Sequence, residues 1–139
     1  MNKALSDAAS ASIHNPESRD PALVMPRARY WCSRFCRRVA RRVYGLRYDH
    51  LFGPSARETA ARLKAAGLLL DHQTGSIPGD LLFKLDTKSG KDGHVGIRVE
   101  GNKVAENSST KKGRINGALG FRTLEEFGKV SAVGRLPQP

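Results

Sequence analysis

The sequence predicts an α+β fold in which helices from the first half pack on a small antiparallel sheet from the second half. A helical apolar repeat runs through residues 30–44, and short apolar segments bounded by turn residues follow position 80. Glu100-Gly101-Asn102 stands between two of these segments and is a hairpin signal. Helices followed by antiparallel strands define the α+β class, and 139 residues suit one domain.

The N-terminal 26 residues differ in composition from the rest. They are rich in Ala and Ser and then contain Pro16, Pro21 and Pro26. This composition predicts a flexible, loosely attached arm at 1–26, with a short helix near residues 4–11. A single domain is expected over 27–139.

The first helix of that domain is expected from Tyr30 to Tyr44, with Gly45 able to end it. Its apolar positions follow the spacing i, i+3, i+4, i+7, i+8, i+11, and arginines occupy the other faces. Cys32 falls in the first turn, on the apolar side. The apolar positions are Cys32, Phe35, Cys36, Val39, Ala40 and Val43.

The remaining elements are predicted from capping and turn residues. A second helix follows Pro54, with Ser55 and Glu58 as a capping box and Gly67 as its end. Strands are expected at 81–85, 94–99, 103–106 and 130–136, with a loop at 108–120 and one helical turn at 123–127.

Cys32 and Cys36 are four residues apart, so a disulfide between them would close a very short loop and stabilise little. A metal site needs about four ligands, and no second Cys/His pair stands at a matching spacing. The cysteines are therefore reactive or buried thiols. Cys36 suits a small core residue, whereas the first turn of a helix favours the thiolate form that nucleophilic chemistry requires at Cys32.

His94 opens a strand after a glycine turn, and the hairpin returns through Glu106 and Asn107. Pairing around Gly101 and Asn102 brings both polar residues near the level of His94. A cysteine on a helix, a histidine on a facing strand and a polar group that orients the imidazole form a nucleophile–base–orienter arrangement.

Four short motifs, in this order, resemble the NlpC/P60 peptidoglycan hydrolases and the related CHAP amidases. Cys32-Ser33-Arg34-Phe35 resembles the Cys-Ser-Gly-Phe nucleophile motif, and Pro78-Gly79-Asp80-Leu81 the Pro-Gly-Asp strand start of NlpC/P60 proteins. Gly93-His94-Val95-Gly96-Ile97 matches the histidine strand of both families. Glu106-Asn107 resembles the Glu-x-Asn ending of CHAP domains without its spacer.

The resemblance implies a papain-like α+β fold and a cysteine hydrolase that cuts amide bonds in peptidoglycan. It implies Cys32 as nucleophile, His94 as base and later acid, and Glu106 as orienting residue, with Asn107 as its substitute or as a helper near the oxyanion. The bond is either within the stem peptide or the muramoyl–alanine amide, and no metal or organic cofactor is needed. Arg34 replaces the motif glycine and Cys36 an aliphatic residue, which leaves open a different substrate or a fold without activity.

The formal net charge of +11 favours polyanionic partners such as anionic envelope polymers or nucleic acid. A nucleic-acid-binding protein that uses the arginine-rich helix is the alternative function, although aromatic residues are only 6% and no stacking platform is evident. The sequence has no apolar run long enough for a membrane span or a signal peptide. We expect a monomer that is cytoplasmic when synthesised and reaches the wall by phage-, holin- or secretion-system-mediated delivery.

Overall fold

The computed structural model describes residues 1–14, 31–71, 75–86, 92–108 and 119–139. In these ranges four α-helices and six strands occur. The helices are α1 (Lys3–His14), α2 (Trp31–Tyr44), α3 (Ala56–Ala65) and α4 (Leu124–Phe127), and a 3₁₀ turn spans Asp49–Leu51. The strands are β1 (Leu69–Asp71), β2 (Leu81–Lys84), β3 (His94–Val99), β4 (Lys103–Asn107), β5 (Leu119–Thr123) and β6 (Ala132–Gly134).

The six strands form one antiparallel sheet in the order β1-β6-β2-β3-β4-β5. The β3–β4 hairpin forms at the expected turn, where Gly101 and Asn102 both have positive φ values, of 82° and 55°. The observed register leaves three residues in the loop, and glycine and asparagine are residue types that adopt positive φ at low cost. The turn fixes the register in which Ile97 pairs with Ala105.

The main core lies between the helices and one face of the sheet. Side chains of α1, α2 and α3 pack there against alternate residues of the central strands, among them Phe83, Val95 and Ile97. A smaller cluster covers the other face and consists of Leu82, Val104, Phe127 and Val133. Helices on a small antiparallel sheet confirm the predicted α+β architecture.

The N-terminal residues correct the expectation of a loosely attached arm at 1–26. A helix near residues 4–11 is confirmed, but α1 is part of the core, with Leu5 and Ala9 fully buried and Ile13 3% exposed. Asn2 holds its start, because its Oδ1 accepts from the Leu5 N–H and its own N–H donates to the Pro78 carbonyl. Residues 15–30 lie outside the described ranges, as do the boundary at 26 and the three prolines.

Two strands were not expected. β1 follows α3 directly, and β5 begins inside the segment expected to be a loop at 108–120. Residues 109–118 of that segment lie outside the described ranges, whereas Leu119 and Gly120 pair with β4. β5 therefore extends the sheet on the far side of β4 and brings its own side chains next to those of the hairpin.

None of the described helices combines the length and the apolar content that a membrane span requires.

Candidate active site

Cys32 is the second residue of α2 and is partly buried. The neighbouring Ser33 fixes this end of the helix: it is fully buried, and its Oγ lies 3.1 Å from the Gly53 carbonyl oxygen and 2.8 Å from Thr59 Oγ1. The Thr59 hydroxyl also accepts from the Gly53 N–H at 2.9 Å. These bonds tie the start of α2 to α3 and to the segment before it, so the position of Cys32 is set by packing.

His94 is the first residue of β3. Gly93, with φ of 72°, turns the chain into the strand, and a Cβ at this position would lie 3.0 Å from the Lys84 carbonyl oxygen. A side chain at residue 93 would therefore be both strained and crowded. This glycine sets where the imidazole of His94 enters the sheet.

Glu106 orients His94. The β3–β4 register, continued by one residue, places Glu106 opposite Gly96, so it is a diagonal neighbour of His94 on the same face. His94 Nε2 lies 2.5 Å from Glu106 Oε1, and the Glu106 side chain is fully buried. Gly96 makes room for this contact, because a Cβ there would lie 2.5 Å from Val104 Cγ1 and 3.3 Å from Glu106 Cβ.

The environment of His94 favours the imidazolium. Burial lowers the pKa of His94, but the hydrogen bond to Cys32, that to Glu106 and the negative charge of both partners together raise it to about 9. Nε2 is engaged by Glu106, which leaves Nδ1 for the thiol. His94 thus lies between Cys32 and Glu106. The catalytic roles of the three residues stay a prediction.

Two side chains not predicted from the sequence complete the surroundings of the pair. Arg122 on β5 donates from Nε to Glu106 Oε2, and from Nη2 to Oε1 at 3.0 Å. The fully buried ring of Phe127 lies with its centroid 5.7 Å from that of His94 and 5.8 Å from the Arg122 guanidinium carbon. Thr123 and Glu126 form a capping box that starts α4 and so positions Phe127.

The side chain of Asn107 points away from the contact between His94 and Glu106. Side chains alternate along a strand, so Asn107 faces the opposite side of the sheet from Glu106 and is 3% exposed. The position beside His94 Nε2 is occupied by Glu106. A catalytic role of Asn107 stays a prediction.

Cys36 and Arg34 are the two residues of α2 that depart from the NlpC/P60 motif. The Cys36 thiol is fully buried in the core, and burial raises its pKa well above the usual value, as a core residue requires. Arg34 is exposed. Two residues along a helix correspond to a rotation of about 200°, so Arg34 projects away from the face that carries Cys32.

Asp80, in the motif at the start of β2, stabilises the turn before that strand. Its Oδ2 accepts from the Ile77 N–H at 2.8 Å, and both carboxylate oxygens accept from Arg135 at 2.9 Å. Gly79 has φ of 95°, and a Cβ there would lie 2.3 Å from the Asn2 carbonyl oxygen. The motif therefore anchors the N-terminus of the chain to the sheet.

No group of three or more His, Cys, Asp or Glu side chains in the described ranges is arranged to hold a metal ion.

The fold is that of an NlpC/P60 domain. The chain is similar to the crystal structure of the NlpC/p60 domain of the peptidoglycan hydrolase SagA, with a TM-score of 0.60 and 20% sequence identity over 98% of this chain and 99% of that one. The predicted resemblance and the papain-like α+β class are thereby confirmed at the level of the fold. No family model and no curated protein matches the sequence.

Proposed function

We propose that the protein is a cysteine hydrolase that cleaves an amide bond in peptidoglycan. The observation that carries this proposal is the buried contact of His94 with Glu106, next to Cys32 at the start of a helix. The likeness in fold to a domain of a peptidoglycan hydrolase supports the substrate class.

The side chains suit acyl transfer. The Cys32 thiolate attacks the amide carbonyl and forms a C–S bond, and backbone N–H groups at the start of α2 stabilise the oxyanion. The His94 imidazolium gives its proton to the departing amine as the C–N bond breaks. His94, now neutral, takes a proton from water as the oxygen of that water attacks the thioester. The C–S bond breaks and releases the carboxylic acid and the Cys32 thiolate, which restores the starting thiolate and imidazolium.

Glu106 supports both halves of this cycle. A carboxylate that holds Nε2 keeps Nδ1 directed at the sulfur and stabilises the positive ring. A buried ring–carboxylate contact is screened little by solvent. The same two residues can therefore serve proton donation and proton removal without rearrangement.

The test is mass spectrometry of muropeptides after incubation of purified peptidoglycan with the wild-type protein, Cys32→Ala and Cys36→Ala. We expect new fragments with the wild type and with Cys36→Ala, and none with Cys32→Ala. The fragment masses identify the bond. Fragments of equal abundance from Cys32→Ala, or none from a folded wild type, would overturn the proposal.

The alternative of a nucleic-acid-binding protein gains no support from α2. Arg37 and Arg41 both donate to the Asp49 carboxylate, at 2.6–2.9 Å, and Arg42 donates to Ser12 Oγ at 3.1 Å. These contacts pair part of the positive charge within the molecule. We therefore put forward the hydrolase alone.

A further inference from the structure

Arg122 contacts both oxygens of the Glu106 carboxylate. Its Nε donates to Oε2 and its Nη2 donates to Oε1, the oxygen that also contacts His94 Nε2. The Arg122 side chain is 14% exposed and Glu106 is fully buried, so the contact is shielded from solvent. Arg122 lies opposite Val104 on the neighbouring strand, two residues from Glu106 and on the same face.

We propose that Arg122 is a positioning residue of the catalytic site, which acts on His94 through Glu106. This inference rests on the proposed function and adds a fourth side chain to it. A planar guanidinium that meets both carboxylate oxygens fixes the plane of the carboxylate as well as its charge. The plane of Glu106 in turn sets the orientation of the imidazole that faces Cys32.

The arrangement of charge also requires Arg122. A buried carboxylate is unstable unless it is paired and hydrogen bonded. Among the described residues, the titratable or charged groups of this site are His94 in contact with the carboxylate, Cys32 and Cys36 on α2, Lys84 opposite His94 on β2, and Arg122 on β5. Thiolate, imidazolium, carboxylate and guanidinium alternate in sign along the site. Removal of the guanidinium leaves two negative groups around one imidazolium and favours protonation of Glu106.

The first measurement is steady-state hydrolysis by Arg122→Gln and Arg122→Lys. We expect Arg122→Gln to lower kcat about ten- to a hundredfold, because a misdirected catalytic group costs rate, while KM changes less than twofold. The acid limb of its pH–rate profile should move to higher pH, since Glu106 protonates more readily. Arg122→Lys keeps the positive charge but cannot contact both carboxylate oxygens in one plane. Its acid limb should therefore stay at the wild-type pH, whereas its kcat should still fall.

Arg135 provides a matched control. It clamps Asp80, whose side chain is 2% exposed, with the same two-pronged contact on the same sheet. Lys84, the residue that pairs with His94, stands at the other end of β2 from Asp80. The length of strand between Asp80 and Lys84 is about 13 Å. Arg135→Gln should lower the melting temperature as Arg122→Gln does, but leave kcat per folded molecule within twofold.

Combination with Glu106→Gln distinguishes an indirect role from a direct one. If Arg122 acts through Glu106, then Arg122→Gln changes kcat less than twofold in the Glu106→Gln background. An undiminished effect there would overturn the inference and indicate direct contact with substrate. A kcat loss equal to that of Arg135→Gln would reduce Arg122 to a structural role.

A substrate-independent measurement separates this inference from the proposed function. In a Cys36→Ala background Cys32 is the sole cysteine, and its rate of alkylation by iodoacetamide can be followed against pH. Arg122→Gln should move that profile and Arg135→Gln should not, whether or not peptidoglycan is cleaved. Where Arg122→Gln does not fold, Arg122→Lys takes its place: it should change the alkylation rate at the plateau of the profile without moving the profile along the pH axis. An unchanged plateau rate and an unchanged profile in a folded Arg122 variant would refute the positioning role.

Discussion

Replacement of His94 by Gln should change how the stability of the protein depends on pH. The pKa of His94 is raised to about 9 in the folded protein, against about 6.5 in an unfolded chain. The native state therefore binds the proton more tightly than the unfolded state does. The stabilisation is complete below pH 6.5 and is lost as the pH rises through 9.

The size of this effect follows from the two pKa values. Each unit of pKa difference corresponds to about 1.4 kcal/mol, so the full difference amounts to about 3 kcal/mol. Urea unfolding of the wild type and of His94→Gln at pH 6 and pH 10 measures it. We expect the difference in unfolding free energy between the two proteins to shrink by about 3 kcal/mol from the lower to the higher pH.

An independent check is the ring signal of His94 in NMR titrations, assigned by its absence from His94→Gln. Cys32→Ser and Glu106→Gln should each lower the pKa of His94, because both partners raise it in the wild type. A stability difference that does not vary between pH 6 and pH 10 would refute the reasoning. So would a His94 ring that titrates below pH 7.

Three further substitutions test how the site is held. Gly96→Ala places a Cβ 2.5 Å from a Val104 methyl. We therefore expect the free energy of unfolding in urea to fall by about 1–3 kcal/mol and kcat to fall as well. Gly101→Ala at the hairpin turn is the control for backbone strain alone. Phe127→Ala should cost about 3–5 kcal/mol in thermal or urea unfolding. Because the Phe127 ring packs beside His94, its loss should admit water and speed deuterium exchange at the His94 ring, and unchanged exchange would show that Phe127 does not shield His94. Ser33→Ala should lower stability by about 1–3 kcal/mol and slow alkylation of the thiol beside it, whereas an unchanged alkylation rate would show that the helix start is positioned without it.

The parts of the site that could be predicted are those set by local sequence. Tight-turn chemistry at Gly101 and Asn102 fixes the β3–β4 register, and that register brings Glu106 to His94. The first turn of α2 likewise follows from the apolar spacing after Cys32. Each of these depends on residues within about a dozen positions of one another.

The parts that could not be predicted depend on partners far away in sequence. Arg122 follows Phe121 and precedes Thr123, and an arginine in a short strand ordinarily indicates an exposed position. Only the carboxylate of Glu106, from another strand, makes its burial favourable. The helix α1 was expected to be a mobile segment because Ala and Ser give a weak apolar signal. Small side chains nevertheless let a helix approach a sheet closely, and Ala9 and Ser6 are almost fully buried there.

The abundance of arginine has a structural explanation in part. Three carboxylates with little exposure, Asp49, Asp80 and Glu106, are each held by guanidinium groups through two-pronged contacts. Lysine could supply the charge but not the fork, so Arg→Lys at these positions keeps the net charge and loses the geometry. The paired carboxylates are already subtracted in the net charge of +11, so these contacts explain why arginine is used and do not account for the excess of positive charge. In Arg122 the same contact that secures the fold also fixes the group that orients His94.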